Sequence, residues 1–109
     1  MADFPLFIKM DGRKVMVIGG GSVARRKIRI LTDYGADIRI ISGEVRDELK
    51  MLAEAGRLEW QKENLTENHL PELDEAFPVI CASNDETVNA LAADYFHRRH
   101  ILVDCAKPG

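Results

Sequence analysis

The chain has 109 residues, 46% hydrophobic and 30% charged, which is the composition of one globular domain and excludes a disordered segment or two packed domains. A formal net charge of -3 gives the protein as a whole no electrostatic reason to bind nucleic acid or an anionic membrane. With only two cysteines, Cys81 and Cys105, both inside apolar runs, a disulfide framework or zinc cluster is not expected and buried free thiols are.

Lys14 to Ile18 is a short β-branched run that ends in Gly19-Gly20-Gly21, the pattern of a buried strand followed by a tight turn. From Ser22 onward Ala24, Ile28 and Leu31 trace one face of a helix that Gly35 closes. Asp37 to Ile41 reads as a second strand, and Ser42 as the N-cap of a helix with Val45, Leu49 and Leu52 on its apolar face and Gly56 at its end.

Leu58 to Gln61 alternates as a third strand, Asn64 to Glu75 reads as a loop with one helical turn, and Ala76 to Ala82 as a fourth strand with Pro78 near its start. Ser83-Asn84-Asp85-Glu86 has capping-box spacing ahead of a helical face of Val88, Leu91, Ala92 and Tyr95. His97, Arg98, Arg99 and His100 bring cations to that helix's last turn, and Ile101 to Ala106 is a fifth strand. This alternation predicts an α/β fold of Rossmann type, a doubly wound parallel sheet of about five strands in the order 3-2-1-4-5, filling residues 1–109 as a single domain. No apolar run reaches the roughly 20 residues that span a bilayer, and MADFPLFIKM lacks the marks of a signal peptide, so a cytoplasmic location is expected.

Gly19 to Ala24 fits G-x-G-x-x-A between a strand and a helix, the context that makes the pattern a dinucleotide fingerprint. Gly19 is expected to permit the turn, Gly21 to let a pyrophosphate approach the backbone, and Ala24 to allow close helix packing, with Gly20 between them. The amides of Ser22 and Val23 would face the phosphates at the helix N-terminus. Ser42, Gly43 and Glu44 are the candidates near the ribose hydroxyls, and Glu44 is the only acid among them; its other reading is a solvated first-turn helix residue. Arg39 and Arg46 leave room for a 2′-phosphate, and NAD is expected over NADP.

Four cations in five positions, Arg25, Arg26, Lys27 and Arg29, are either a solvated face or an anchor for substrate or dinucleotide charge through Arg26 or Lys27. His97 and His100 could share a metal by spacing, but Arg98 and Arg99 between them point to a helix terminus, and no metal site is expected. Cys81 and Cys105 are placed on neighbouring strands by the expected order.

The stretches VMVIGGGSVARRKIRIL and ICASNDETVNALAA and the opening PLFIKMDGRKV resemble the precorrin-2 dehydrogenase/sirohydrochlorin ferrochelatase family, the N-terminal part of multifunctional sirohaem synthases. The resemblance covers essentially the whole chain. It implies an NAD-dependent oxidation of precorrin-2, a tetrapyrrole, to sirohydrochlorin, followed in some members by iron insertion, and a homodimer in the full-length family. Carried over, the NAD contacts would be Ser22 and Val23, Gly43 and Glu44, and Ser83 and Asn84 at the end of the fourth strand.

Two positions depart from the family. Gly43 stands where a proline is usual. After the fifth strand the family has an asparagine, two small residues and an aspartate proposed as acid/base, whereas this chain has Asp104-Cys105-Ala106-Lys107. Asp104, the only acid near that strand's end, becomes the candidate base. The family's dimerising and substrate-binding helices would follow this sequence, which is expected to be the cofactor half. The rival readings are a regulatory NAD-sensing module like those that gate potassium uptake, and a cofactor-binding half without activity of its own.

Overall fold

The computed structural model describes residues 9–67, 69, 79–98 and 103–105. Eight elements follow one another as β1 (Lys14–Ile18), α1 (Ser22–Asp33), β2 (Asp37–Ile41), α2 (Asp47–Glu54), β3 (Glu59–Gln61), β4 (Val79–Cys81), α3 (Glu86–Arg98) and β5 (Val103–Cys105). The strands form one parallel five-stranded sheet in the order β3-β2-β1-β4-β5, as expected. β1 and β2 have the predicted bounds. The fourth and fifth strands are shorter than read, but Ala76 to Pro78, Ile101, Leu102 and Ala106 lie outside the described residues, as do the Pro5-Leu6-Phe7 opening, Arg99, His100 and Lys107.

Alternation along the strands divides the core into two layers. Val15, Val17, Ile38, Ile40, Ile80 and Ala82 pack with Ala24 and Ile28 of α1 and Leu49 of α2 on one face. Met16, Ile18, Ile41, Val79 and Cys81 pack with Ala92 and Phe96 of α3 and with Leu65 on the other. Helices therefore cover both faces, which is what near-continuous apolar strands require. Phe96 is fully buried and is a core residue that the sequence reading did not pick out. The register sets Cys81 beside Cys105 on adjacent strands, and Cys81 is buried.

Both early helices end as the glycines suggested. Beyond α1, Ala36 N–H bonds Leu31 O at 3.2 Å and Gly35 N–H bonds Thr32 O at 3.0 Å. Beyond α2, Arg57 N–H bonds Leu52 O at 2.9 Å and Gly56 N–H bonds Ala53 O at 3.1 Å. These paired bonds satisfy the last carbonyls of each helix.

The helix starts differ from the reading in two places. α2 begins at Asp47, not after Ser42, and its N-cap is Arg46. Ser42 is taken up elsewhere: its N–H bonds Gln61 O at 3.2 Å, its carbonyl accepts from Trp60 Nε1 at 2.8 Å, and its hydroxyl donates to Glu44 O at 2.6 Å. Val45 accordingly stands ahead of the helix instead of on its face. At α3 the cap is Asp85, whose Oδ1 accepts from Thr87 N–H at 2.9 Å and Val88 N–H at 3.4 Å, while Ser83 Oγ accepts from Asp85 N–H at 2.9 Å. The run Ser-Asn-Asp-Glu offers two capping side chains, and the helix starts after the second.

Two members of the basic cluster on α1, Arg25 and Arg29, pair with a residue of α2. Glu48 of α2 receives Arg25 at 3.0 Å and Arg29 at 3.2 Å, tying the two helices together across the surface. The hydrogen bonds from Arg25, and then Arg29, hold the Glu48 carboxyl below the usual carboxylate range. A pKa lowered in the folded state contributes stability that is full above the ordinary carboxylate range and is lost as pH falls through the lowered value. Thermal unfolding of the wild type and Glu48→Gln from neutral to acid pH should therefore show a gap that is widest at neutral pH and closes on acidification. A gap independent of pH would show that the ion pairs contribute nothing.

Candidate functional site

The carboxyl ends of β1, β2 and β4 meet at one cleft of about 710 Å³, in the size range of small-molecule sites. Gly19, Gly20 and Gly21 form its floor, Ser42 to Arg46 and Asn64 one wall, and Ser83, Asn84 and Asp85 the other. Of the predicted cofactor residues, the structure brings together Gly19, Gly20, Gly21, Gly43, Glu44, Ser83 and Asn84. Ser22 and Val23 occupy the first turn of α1 directly behind the floor and do not line the cleft.

The floor is shaped by how closely other backbone comes to it. Gly19 has φ +120°, and a β-carbon there would lie 2.5 Å from Ala82 O and 2.8 Å from Ser83 N. A β-carbon on Gly20 would lie 2.5 Å from Glu44 O and from Val45 Cγ1, and Gly20 O accepts from Arg46 N–H at 2.8 Å. Gly21 is different: among the described residues beyond its own neighbours, a β-carbon there would come no nearer than 3.9 Å to any atom, that atom being Asn84 Nδ2 across the cleft. The first two glycines are thus required by the protein's own packing, and the third leaves space above the backbone.

The helix termini decide what that space suits. α1 has Gly21 as N-cap, no side-chain cap and no acid in its first turn, so its leading amides are not claimed by any described side chain. Asp85 caps α3, and α2 carries Asp47 and Glu48 in its first turn. Among the described helices only α1 combines an uncapped N-terminus, a first turn without acids and an open approach. A diphosphate fits that combination, since helix N-terminal amides bind anions.

The wall from β2 is held from behind. Gly43 N–H donates to Asn64 Oδ1 at 3.0 Å. The loop that carries Asn64 is fastened by His69, whose Nδ1 accepts from Thr66 N–H at 2.9 Å and whose Nε2 therefore donates to Glu63 at 2.9 Å. Gln61, and then His69, keep the Glu63 carboxyl below the usual range. Glu44 precedes α2 by three positions, so it is not a first-turn helix residue; it is exposed, it lines the cleft, and its carboxylate bonds no described residue. Arg46 lines the same wall, whereas Arg39 is taken by Glu59 on β3 at 2.8 Å. Arg26 and Lys27 do not line the cleft.

On the opposite wall Asn84 is exposed and bonds no described residue, while Ser83 has its N–H and carbonyl paired with Asn89 and its hydroxyl oxygen accepting from Asp85 N–H. Asp104 stands on β5 in register with Ile80, one strand beyond this wall. The cleft residues missed by sequence reading are Asn64 and Asp85, whereas Arg46, read as near a 2′-phosphate, does line it. They reach the cleft from loops whose course no periodicity reports.

Known proteins resemble the chain over nearly its whole length. The model of a family described as "Putative NAD(P)-binding" matches residues 6–108. The chain belongs to this family. Among its relatives, siroheme synthase 1 of Yersinia enterocolitica is 42% identical over 101 residues, covering 92% of this chain and 21% of that protein. A siroheme synthase of Neisseria meningitidis serogroup C is 40% identical over 86 residues, covering 79% of this chain and 17% of that protein. Among solved structures, SirC, precorrin-2 dehydrogenase, superposes with a TM-score of 0.78 at 27% identity, covering 93% of this chain and 48% of that one. The chain thus spans about a fifth of the siroheme synthases and about half of the dehydrogenase. For this member of the family, the family description supports a nicotinamide dinucleotide, NAD or NADP, as the cofactor.

The three glycines separate packing from binding. Gly20→Ala should destabilise the fold by about 1–3 kcal/mol through overpacking against Glu44 and Val45. Gly21→Ala, with extended backbone and open space, should cost under about 1 kcal/mol yet obstruct the diphosphate. Thermal unfolding and calorimetric NAD titration check both. NAD affinity unchanged in Gly21→Ala would mean that no phosphate passes over this residue.

Proposed function

We propose that the chain forms the cofactor platform of an NAD-dependent precorrin-2 dehydrogenase of the sirohaem pathway. The observation that carries this reading is the uncapped N-terminus of α1 beneath the open face of Gly21, in a chain whose relatives are siroheme synthases and a precorrin-2 dehydrogenase. In this reading the amides of Ser22 and Val23 receive the diphosphate oxygens. Glu44 accepts hydrogen bonds from the hydroxyls of the adenosine ribose, as an acid past the second strand does in such folds. Gly43 lies beside it, and its N–H is already given to Asn64, so its part is to keep the wall thin. Asn84 and the Ser83 hydroxyl face the other half of the dinucleotide.

Oxidation of precorrin-2 removes a hydride and a proton from the macrocycle. When bound, NAD supplies the hydride acceptor. Asp104 is proposed to take the proton, from its place on the strand next to the Ser83–Asp85 wall. The substrate is the tetrapyrrole itself. No helix among the described residues is long and apolar enough to cross a membrane.

Titration with NAD should raise the unfolding free energy by about 2.7 kcal/mol at 100 times the dissociation constant. Addition of precorrin-2 should then give NADH and the sirohydrochlorin spectrum. Asp104→Asn should retain the NAD-induced stabilisation and lose turnover by about 10²–10⁴-fold, the usual worth of an acid–base group. Stabilisation without turnover in the wild type would leave the chain a cofactor-binding unit only, and no stabilisation would reject the platform itself.

A further inference from the structure

Asn89 is the buried polar residue among those described, 8% exposed on the inner face of α3. Both ends of its amide go to one residue. Its Oδ1 accepts from Ser83 N–H at 3.1 Å and its Nδ2 donates to Ser83 O at 2.9 Å. The orientation of the amide follows from this, because the Ser83 N–H can only donate and its carbonyl can only accept.

Ser83 needs such a partner. Ala82 still bonds the sheet, its N–H donating to Ile18 O at 2.8 Å, but at Ser83 the backbone turns away toward α3. Its N–H and C=O would be left unpaired close to the core, at a cost comparable to that of lost hydrogen bonds. Asn89 supplies the two-bond pairing that a neighbouring strand would otherwise give. The residue so fixed is pressed, with Ala82, on the glycine floor, its N 2.8 Å from where a β-carbon of Gly19 would be. The next residue is Asn84, whose amide stands across the cleft from Gly21.

The strand order gives this clamp a direction. β2 flanks β1 on one side and β4 on the other. With the diphosphate at α1 over β1 and the adenosine ribose at Glu44 beyond β2, the other half of the dinucleotide extends over the end of β4. We propose that Asn89 is a positioning residue for the nicotinamide half of NAD: by pairing with the Ser83 backbone it fixes the Ser83–Asn84 wall against which that half lies. This rests on the reading of the cleft as an NAD site with its adenosine end at Glu44.

The test compares NAD with ADP, which carries the adenosine and diphosphate but lacks the nicotinamide riboside. Asn89→Asp keeps an acceptor for Ser83 N–H and loses the donor to Ser83 O. Calorimetric titrations should show NAD binding weakened by about tenfold or more as the wall loses its preorganisation, with ADP binding within about twofold of wild type. Equal weakening of both ligands, or no change in either, overturns the proposal, since a purely structural role would not distinguish them. The exposed Asn84→Ala keeps the experiment decisive where Asn89→Asp does not fold: it should give the same selective loss of NAD binding, and unchanged NAD affinity overturns the proposal. Wild-type protein that binds neither ligand rejects the NAD reading, and the proposal falls with it, whereas wild-type binding of both with a non-selective Asn89 variant rejects the clamp alone.

Discussion

The site depends on a close approach of backbone to backbone. Gly19 lies against Ala82 and Ser83, and Gly20 against Glu44 and Val45, at separations that leave no room for a β-carbon. The end of β1 is therefore the fixed point from which both cleft walls are measured. A wall made this way is set by main-chain contact on each side and has little freedom to shift, which lowers the ordering cost of binding. The third glycine departs from this rule, and the departure is what makes a site.

Electrostatics follow the same division. Three helices start at or near the carboxyl edge of the sheet, but two of them have their N-termini answered from within, α3 by Asp85 and α2 by Asp47 and Glu48 in its first turn. Glu48 is in turn drawn away toward Arg25 and Arg29, joining α2 to α1 along the outside. The chain therefore keeps its acids off the α1 N-terminus while using one of them to brace the helix. An anion at the cleft meets unclaimed amides and no carboxylate in that first turn.

Much of the fold was legible because its signals are local. Lys14–Ile18 and Asp37–Ile41 are apolar runs bounded by glycine or polar residues, and the glycines at 35 and 56 mark helix ends through bonds made within a few residues. The start of α2 was not legible, because Ser42 has the chemistry of a cap and is claimed instead by Gln61 and Trp60, almost twenty residues away. The start of α3 was ambiguous within the sequence itself, with Ser83 and Asp85 both able to cap. Asn89 left a trace that could have been read: Asn89, Ala92 and Phe96 are spaced three and four apart, so a polar amide stands in the buried stripe and calls for a partner. Asn64 left none, since loop positions carry no period.

The side chains around the cleft fall into two groups with different duties. Asn64, Trp60 and Asn89 spend their hydrogen bonds on the backbone of the walls, at Gly43, Ser42 and Ser83 in turn. Glu44 and Asn84 are exposed and bond no described residue, so they are free to meet a ligand. Changing a residue of the second group alters what is bound while leaving the walls in place. Changing one of the first group moves a wall, and in the proposed reading the two walls serve opposite ends of an extended ligand. Parallel strands lie about 4.8 Å apart, so β2 and β5 are separated by three spacings, about 14 Å. Recognition of the adenosine at Glu44 and proton transfer at Asp104, as proposed, would then take place at opposite ends of the sheet's edge, with the diphosphate site at α1 between them fixing the register of one against the other.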